Sequence, residues 1–224
     1  MTGFDVRFYL SSFRVGNYPD QLVALARGRT RTAVIANAMD AAPADIRTAG
    51  VRRELRALTD LGLVAQELDL RDLSPATAAV ALERYDIVWL RGGNVFMLRY
   101  ALAASGADVE LARRLQDDSL LYAGYSAGPC VLGPSLRGLD AVDAPAAVEE
   151  TYGQPPIWDG LGLLEFSIVP HYDSPDHPES AALGRVADEY RRRGTPHRTL
   201  RDGEVLVIDG TRELRCRWPV VHHR

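Results

Sequence analysis

The sequence contains no lysine: all 26 of its Lys and Arg residues are arginine. Without a lysine ammonium, the chain cannot form a Schiff base with a substrate, use a Ser-Lys dyad or supply the lysine of a phosphate-binding P-loop. These three chemistries are excluded, although genome composition is the simplest reason for the preference itself.

Cysteines and long apolar runs are also scarce. Cys130 and Cys216 are too few and too scattered for a disulfide framework or a zinc site, so no metal is expected. No stretch approaches the roughly 18 apolar residues of a membrane span. The first residues lack the basic segment and apolar core of a signal peptide, and a cytoplasmic protein is therefore expected.

What the chain does contain is typical of a globular protein. It has 224 residues, of which 46% are hydrophobic and 25% charged. This length predicts one domain over residues 1–224. The net charge of −4 argues against nucleic acid or an anionic membrane as the main partner.

Apolar runs typical of strands alternate with helical patterns up to residue 123, which predicts an α/β fold with a mostly parallel sheet covered on both faces. The predicted strands in this part are Val6–Leu10, Thr32–Ala36, Val64–Leu68, Ile87–Leu90 and Leu120–Ala123. The predicted helices are Asp20–Arg27, Ala44–Leu61, Pro75–Arg84, Val95–Ala104 and Asp108–Asp117.

The regular alternation of strand and helix patterns ends after residue 133. Pro134–Gly160 is rich in Pro, Gly, Asp and Ala and is interpreted as a long ordered loop. Strand Phe166–Val169 and helix Glu179–Arg193 follow, and late antiparallel strands are predicted at His197–Leu200, Val205–Ile208 and Glu213–Trp218. Asp209-Gly210 predicts a hairpin turn between the last two.

The most informative motif is Gly124-Tyr125-Ser126-Ala127-Gly128, which directly follows a predicted buried strand. A strand that runs into G-x-S-x-G and then a helix is the sequence form of a nucleophile elbow. Small neighbours are needed because the turn is tight, and the serine hydroxyl is then exposed above the sheet edge. Ser126 is therefore the candidate nucleophile.

Two further segments follow predicted strands, and ligand sites of open α/β sheets lie beyond the carboxyl ends of strands. Considered by itself, Gly92-Gly93 is most simply interpreted as a tight turn. Next to the elbow, however, it would offer backbone N–H groups to an oxyanion, with the Ala127 N–H as the second donor. His171 follows strand Phe166–Val169 and is the candidate base.

The remaining candidates are weaker. Among the other histidines, His177 lies in a predicted helix entry and His197 at a predicted strand start, while His222 and His223 lie near the C-terminus. Cys130 is expected to be a small core residue. A carboxylate must orient the base. Spacing alone does not choose among the acids in loops, which are Asp140, Asp143, Asp173, Asp176 and Asp202.

Three segments in order, Arg91–Phe96, Gly124–Gly128 and Val169–Tyr172, resemble the signatures of the peptidase E family, the aspartyl dipeptidases. These enzymes are related to cyanophycinases and share a layout similar to class I glutamine amidotransferases. The resemblance extends to about Ile208 and implies a three-layer α/β/α sandwich. It also implies a serine nucleophile, carried by Ser126, and a histidine base, carried by His171.

The acid implied by the resemblance is a glutamate in a late L-P-E-G-like turn, and Leu200-Arg201-Asp202-Gly203 matches that turn with aspartate. A second position proposed in the family lies near Asp140. We favour Asp202. The implied reaction is acyl transfer to water without a cofactor. The N–H groups of Gly93 and Ala127 are expected to stabilise the oxyanion. Asn94 is expected either to cap the next helix or to hold the substrate's ammonium.

The resemblance implies a small peptide substrate with N-terminal aspartate, which needs an arginine facing its carboxylate. The candidate cations are Arg91, Arg137, Arg185 and Arg191. Two alternatives stay open: a cyanophycinase-like hydrolase of β-linked Asp-Arg, and a non-catalytic amidotransferase-like domain that binds a ligand. The oligomeric state is left open between a monomer and a homodimer.

Overall fold

Five short strands form the parallel part of a seven-stranded sheet in the computed structural model, which describes residues 6–217. Their bounds are β1 (Arg7–Ser11), β2 (Arg31–Ile35), β3 (Val64–Glu67), β4 (Ile87–Leu90) and β5 (Leu121–Tyr125). The strand order is β3-β2-β4-β5-β1, followed by β8 (Val205–Asp209) and β9 (Arg212–Cys216). The last two strands are antiparallel to their neighbours, as predicted.

Helices cover both faces of this sheet, because successive side chains of a strand point to opposite faces. On one face Tyr9 and Trp89 pack with Leu22 and Leu58. The latter two belong to α1 (Pro19–Ala26) and α2 (Ala44–Asp60). On the other face, the core includes α4 (Val95–Ser105) and α5 (Ala107–Gln116). The predicted three-layer α/β/α architecture is confirmed.

A separate two-stranded parallel sheet lies beside this core. It pairs β6 (Ser167–Val169) with β7 (His197–Thr199), and α8 (Ser180–Arg193) connects them. The remaining helices are α3 (Ala78–Leu82), α6 (Ala127–Cys130) and α7 (Ala146–Tyr152). The strand before His171 is therefore not part of the central sheet.

The prediction that 134–160 is a loop was wrong in part. The segment contains α7 and a 3-10 turn over Leu139–Ala141. The helix starts directly after Pro145, ends at Gly153 with φ 66°, and packs Tyr152 on Tyr100 with ring centroids 4.6 Å apart. Tertiary contact with α4 thus stabilises a helix in a segment whose high Pro and Gly content predicts a loop.

Other predicted bounds differ by a few residues. The predicted helix over 75–84 is shortened to α3, and the last predicted strand ends at Cys216. Trp218, His222 and His223 lie outside the described residues. Among residues 6–217, none of the helices combines the length and the apolar character needed to cross a membrane.

Candidate active site

Ser126 follows β5 directly and has the strained backbone of an elbow, with φ 53° and ψ −110°. The elbow fits because its flanking residues are small. A Cβ at Gly124 or Gly128 would lie 2.5 or 2.6 Å from the carbonyl oxygen of Leu90, which no real side chain tolerates. Ser126 itself is half-buried at the start of α6.

The loop after β4 lies against the elbow. A Cβ at Gly92 would come within 2.9 Å of the Ser126 Cβ, so this backbone approaches the serine as closely as glycine allows. Within the described part of the chain, the N–H groups of Gly93 and Ala127 donate no hydrogen bond to protein. Neither group is used within the described part of the protein, and Ala127 directly follows Ser126.

Asn94 is the N-cap of α4. Its Oδ1 accepts hydrogen bonds from the N–H groups of Phe96 and Met97 at 2.9 and 3.2 Å, and its Nδ2 donates to the Ala144 carbonyl at 2.9 Å. Oδ1, the atom that would accept a bond from a substrate ammonium, already accepts two backbone hydrogen bonds, so of the two predicted roles the geometry supports the cap.

His171 and Asp202 form a hydrogen-bonded pair. His171 is 1% exposed, has φ 53°, and places Nδ1 2.6 Å from Asp202 Oδ1. Burial alone raises the pKa of the Asp202 carboxyl, but the hydrogen bonds from His171 and Ser12 outweigh burial and hold this pKa below its usual range. An ionised Asp202 fixes the proton on His171 Nδ1 and leaves Nε2 free to accept another.

Ser12, at the end of β1, was missed in the sequence analysis. Its hydroxyl is fully buried, lies 2.9 Å from Asp202 Oδ1 and accepts the His171 backbone N–H at 2.8 Å. Ser174 Oγ accepts the Asp202 N–H at 2.8 Å. Ser12 follows a predicted strand, so the rule that located Ser126 could also have found it.

A second histidine lies against the first. The rings of His171 and His177 are stacked with centroids 3.6 Å apart and an interplanar angle of 1°. Phe13 packs edge-on against both rings, at 5.9 and 5.7 Å. Burial, and then the nearby His171, lower the pKa of His177. The expectation that His177 only marks a helix entry therefore missed its contact with the base.

Two of the competing acids lie elsewhere. Asp140 is exposed and accepts the Gly138 N–H at 2.9 Å. Asp143 accepts the Val95 N–H at the start of α4, also at 2.9 Å. Neither carboxylate contacts His171.

The other two acids do not pair with His171 either. Asp173 pairs with Arg201, and Asp176 is exposed. Cys130 is buried, its Sγ donates to the Ile168 carbonyl at 3.4 Å, and burial raises the pKa of its thiol far above the usual range. It behaves as the small core residue that was expected.

A pocket of about 190 Å³ joins these groups. Its lining includes Ser126, His171, Gly93, His177 and Glu179. Ser126 and His171 share the pocket without a direct hydrogen bond, which is common before substrate binds. A larger cavity of about 560 Å³ near Phe8 contains none of these side chains, so chemistry and not size identifies the site.

Three arginines, Arg14, Arg53 and Arg91, line the same pocket. Arg91 is the most constrained of them: its side chain is 11% exposed, and Nε lies 3.6 Å from Glu54 Oε1. The guanidinium lies flat over Gly50, where a Cβ would be 3.1 Å from Nε.

The other predicted cations lie away from Ser126. Arg137 and Arg185 line a separate surface cavity with Asp140, and Arg191 pairs with Asp188. Only Arg91 of the four predicted arginines is placed at the pocket, while Arg14 and Arg53 were missed.

Fold and site together define an α/β protein with a strained serine elbow facing a histidine–aspartate pair. A model of peptidase family S51 matches residues 36–215, and the chain belongs to that family. Peptidase E of Streptomyces coelicolor is 34% identical over 176 residues, which are 76% of this chain and 65% of that protein. An uncharacterised peptidase of Listeria innocua is 29% identical over 154 residues, 69% of this chain and 70% of the relative.

A more distant relative from Drosophila melanogaster, named "Probable alpha-aspartyl dipeptidase", is 27% identical over 60% of this chain and 54% of its own length. Among solved structures, a peptidase from an acI-B1 Actinobacterium superposes with a TM-score of 0.69 at 14% identity and covers 96% of this chain and 88% of its own. A Listeria monocytogenes structure reaches a TM-score of 0.75 at 23% identity, covering 95% and 98%. These two likenesses support the fold.

Proposed function

We propose that this protein is a serine-type dipeptidase that hydrolyses peptides with an N-terminal aspartate through an acyl-enzyme. The observation that carries the proposal is the His171–Asp202 pair, joined at 2.6 Å, which opens on the same pocket as the strained Ser126. A nucleophile, a base and an acid that orients the base are the three groups that such catalysis requires.

In the proposed reaction, Ser126 Oγ attacks the peptide carbonyl carbon while His171 Nε2 accepts the hydroxyl proton. His171 then gives this proton to the departing amine, and water attacks the acyl-enzyme by the reverse route. The N–H groups of Gly93 and Ala127 stabilise the oxyanion, an effect of about 3 kcal/mol per donor.

The proposed specificity rests on charge. An aspartyl substrate brings a carboxylate into a pocket lined by Arg14, Arg53 and Arg91. Arg91 is the strongest candidate to bind it, because the flat guanidinium is already held by Glu54 and an ordered fork binds a carboxylate with less loss of entropy. The name of the Drosophila relative, "Probable alpha-aspartyl dipeptidase", agrees with this substrate class.

The test is the variant Ser126→Ala. We expect it to lose more than about 10³-fold in kcat on Asp-Leu and all labelling by a fluorophosphonate probe, with unchanged circular dichroism. Ser135→Ala, which removes a hydroxyl distant from the pocket, serves as the control and retains both. Full activity of Ser126→Ala would contradict the proposal, and an inert Ser126 in the wild type would favour a ligand-binding domain.

The same assay separates the substrates. On a panel of Asp-Leu, Asn-Leu, Glu-Leu and β-Asp-Arg, the highest kcat/KM is expected for Asp-Leu, because the uncharged Asn side chain forfeits the ion pair with arginine. A preference for β-Asp-Arg would replace the dipeptidase by the cyanophycinase-like alternative, in which Glu179 would face the substrate's guanidinium.

A further inference from the structure

The side chains of His171, His177 and Glu179 lie close together in the pocket, and the proposed hydrolysis does not need all three. One donor atom from each lies within 4.8 Å of a donor atom from each of the other two. The proposed reaction uses only His171. The stacked His177 and the carboxylate of Glu179 are left without a catalytic assignment.

The hydrogen bonds decide which ring nitrogens are available. His171 Nδ1 is held by Asp202 at 2.6 Å, so its lone pair lies on Nε2. His177 Nδ1 accepts the Glu179 N–H at 3.3 Å, a long bond whose loss costs about 1 kcal/mol. Each imidazole therefore has a nitrogen that can bind a cation directly or after exchange of one weak hydrogen bond.

Two imidazoles and one carboxylate are the His₂Glu ligand set that proteins use for Zn²⁺ with an open coordination position. Asp202 behind His171 supplies the outer carboxylate that typically orients such a histidine. Mg²⁺ and Ca²⁺ prefer oxygen ligands, and the cluster offers a single carboxylate, which favours a borderline cation. Zn–N bonds of about 2.0–2.1 Å lie in the plane of an imidazole ring, so His177 must turn out of its parallel stack on His171 before both rings can bind one ion.

The charges around the cluster limit how tightly a dication is held. Arg14, Arg53 and Arg91 line the same pocket and repel a cation, while Glu179 is the carboxylate that lines it. This balance fits a reversibly bound ion better than a permanent structural metal.

We propose that His171, His177 and Glu179 form a binding site for Zn²⁺ and that the bound ion inhibits the enzyme. Zn²⁺ on His171 takes the lone pair that would otherwise accept the Ser126 proton, so the hydroxyl is not activated. Metal binding requires none of the proposed chemistry, whereas the inhibition rests on the proposed function.

Binding is tested with metal-free Ser126→Ala protein titrated with Co²⁺, followed by its visible absorption, and then by displacement with Zn²⁺. One ion per chain is expected. His177→Gln and Glu179→Gln, each in the Ser126→Ala background, are expected to weaken binding at least tenfold, whereas His197→Gln, a half-buried histidine outside the pocket, leaves it unchanged. Equal affinity in all four proteins would overturn the site.

Inhibition is tested on the active chain with Asp-Leu, each variant being compared with its own metal-free rate. Zn²⁺ should inhibit the wild type and the His197→Gln protein at concentrations at least tenfold lower than the His177→Gln protein, and millimolar Mg²⁺ should not inhibit. Cation binding in a chain without peptidase activity would sink the proposed function and retain the site. Full activity with neither binding nor inhibition by Zn²⁺ would sink the site alone.

Discussion

The proposed nucleophile and the proposed base lie on backbone that most residues avoid. Ser126 and His171 both have φ 53° without being glycine, and such sparsely populated backbone conformations cost about 1–3 kcal/mol each. Such strain persists only where surrounding structure enforces it, and it is concentrated at functional sites. The sequence predicts both residues as candidates, because Ser126 directly follows a strand and has small neighbours, and His171 comes two residues after a strand.

The sequence could not choose the orienting acid in the same way. Asp202 lies 31 positions after His171, beyond α8 and β7, and its carboxylate is aimed by the Ser12 hydroxyl at the end of β1. The direction of that side chain depends on three segments far apart in the chain. Asp202 is preferred over Asp140 because of the resemblance to peptidase E, since local sequence patterns do not distinguish the two.

Asp202→Asn is expected to lower kcat on Asp-Leu by about 10³–10⁴-fold. The amide NH₂ would face His171 Nδ1 and force the ring proton onto Nε2, where it blocks transfer from Ser126. Stopped assays with enough enzyme to detect the residual rate measure the effect. Asp202→Glu keeps a carboxylate and should lose far less.

Asp140→Asn is the matched control for this prediction, because it removes the other candidate acid from an exposed turn. It should retain wild-type kcat. If Asp140→Asn were inactive and Asp202→Asn active, the acid that supports His171 would be Asp140, although His171 contacts Asp202 in the structure.

At the scale of elements, the strands were the most predictable parts. Four of the five parallel strands are mainly buried runs set by local residues, β3 being the exposed exception, and the bounds of β4 agree with the predicted strand. Helix α7 could not be predicted from local pattern, since its seven residues are too few to be stable alone. Its contacts with α4 through Tyr152 and Tyr100 decide its structure.

A half-buried carboxyl, that of Asp143, lies at the N-terminus of α4 next to its cap. Asp143 accepts the Val95 N–H, yet burial, the largest cause, raises its pKa to about 7, with nearby Glu179 acting in the same direction. The folded protein thus retains this proton above pH 4, where the unfolded chain releases it. Stability from this group falls as the pH rises from about 4 to about 7.

Asp143→Asn is expected to stabilise the protein at pH 8, by at most about 4 kcal/mol, because the amide oxygen still accepts the Val95 N–H without a charge to bury. The gain should shrink as the pH approaches 4. Urea unfolding at pH 8, 6 and 4.5 measures it. Asp140→Asn, which removes an exposed charge from the same segment, should show no comparable gain, and a pH-independent effect of Asp143→Asn would contradict the titration.

At the scale of the whole molecule, the candidate site depends on parts that do not follow the simple parallel sheet. His171 follows β6 of the small second sheet, and Asp202 lies between β7 and β8. The alternation of strands and helices predicted the central sheet but not the pairing of β6 with β7. That pairing is fixed by long-range contacts, which local periodicity does not contain.

Arg7 links three parts of the core from the first residue of β1. Its guanidinium is fully buried, donates to the Leu25 carbonyl at the end of α1 at 2.8 Å, and pairs with the Asp118 carboxylate before β5. Burying a charge is tolerated only when it is paired, so Asp118 is expected to support the central sheet as a whole.

Asp118→Asn should therefore lower the free energy of unfolding by about 3 kcal/mol, or roughly 6–12 °C in Tm, because Arg7 is left buried without its countercharge. The backbone is not perturbed by the change, since Asn adopts the φ of 49° at this position readily. The neighbouring Asp117→Asn breaks only an exposed pair with Arg113 and should cost less than about 1 kcal/mol. Thermal melts and urea titrations of the two variants at pH 7 measure the difference. Equal losses would show that the buried pair contributes no more than a surface one.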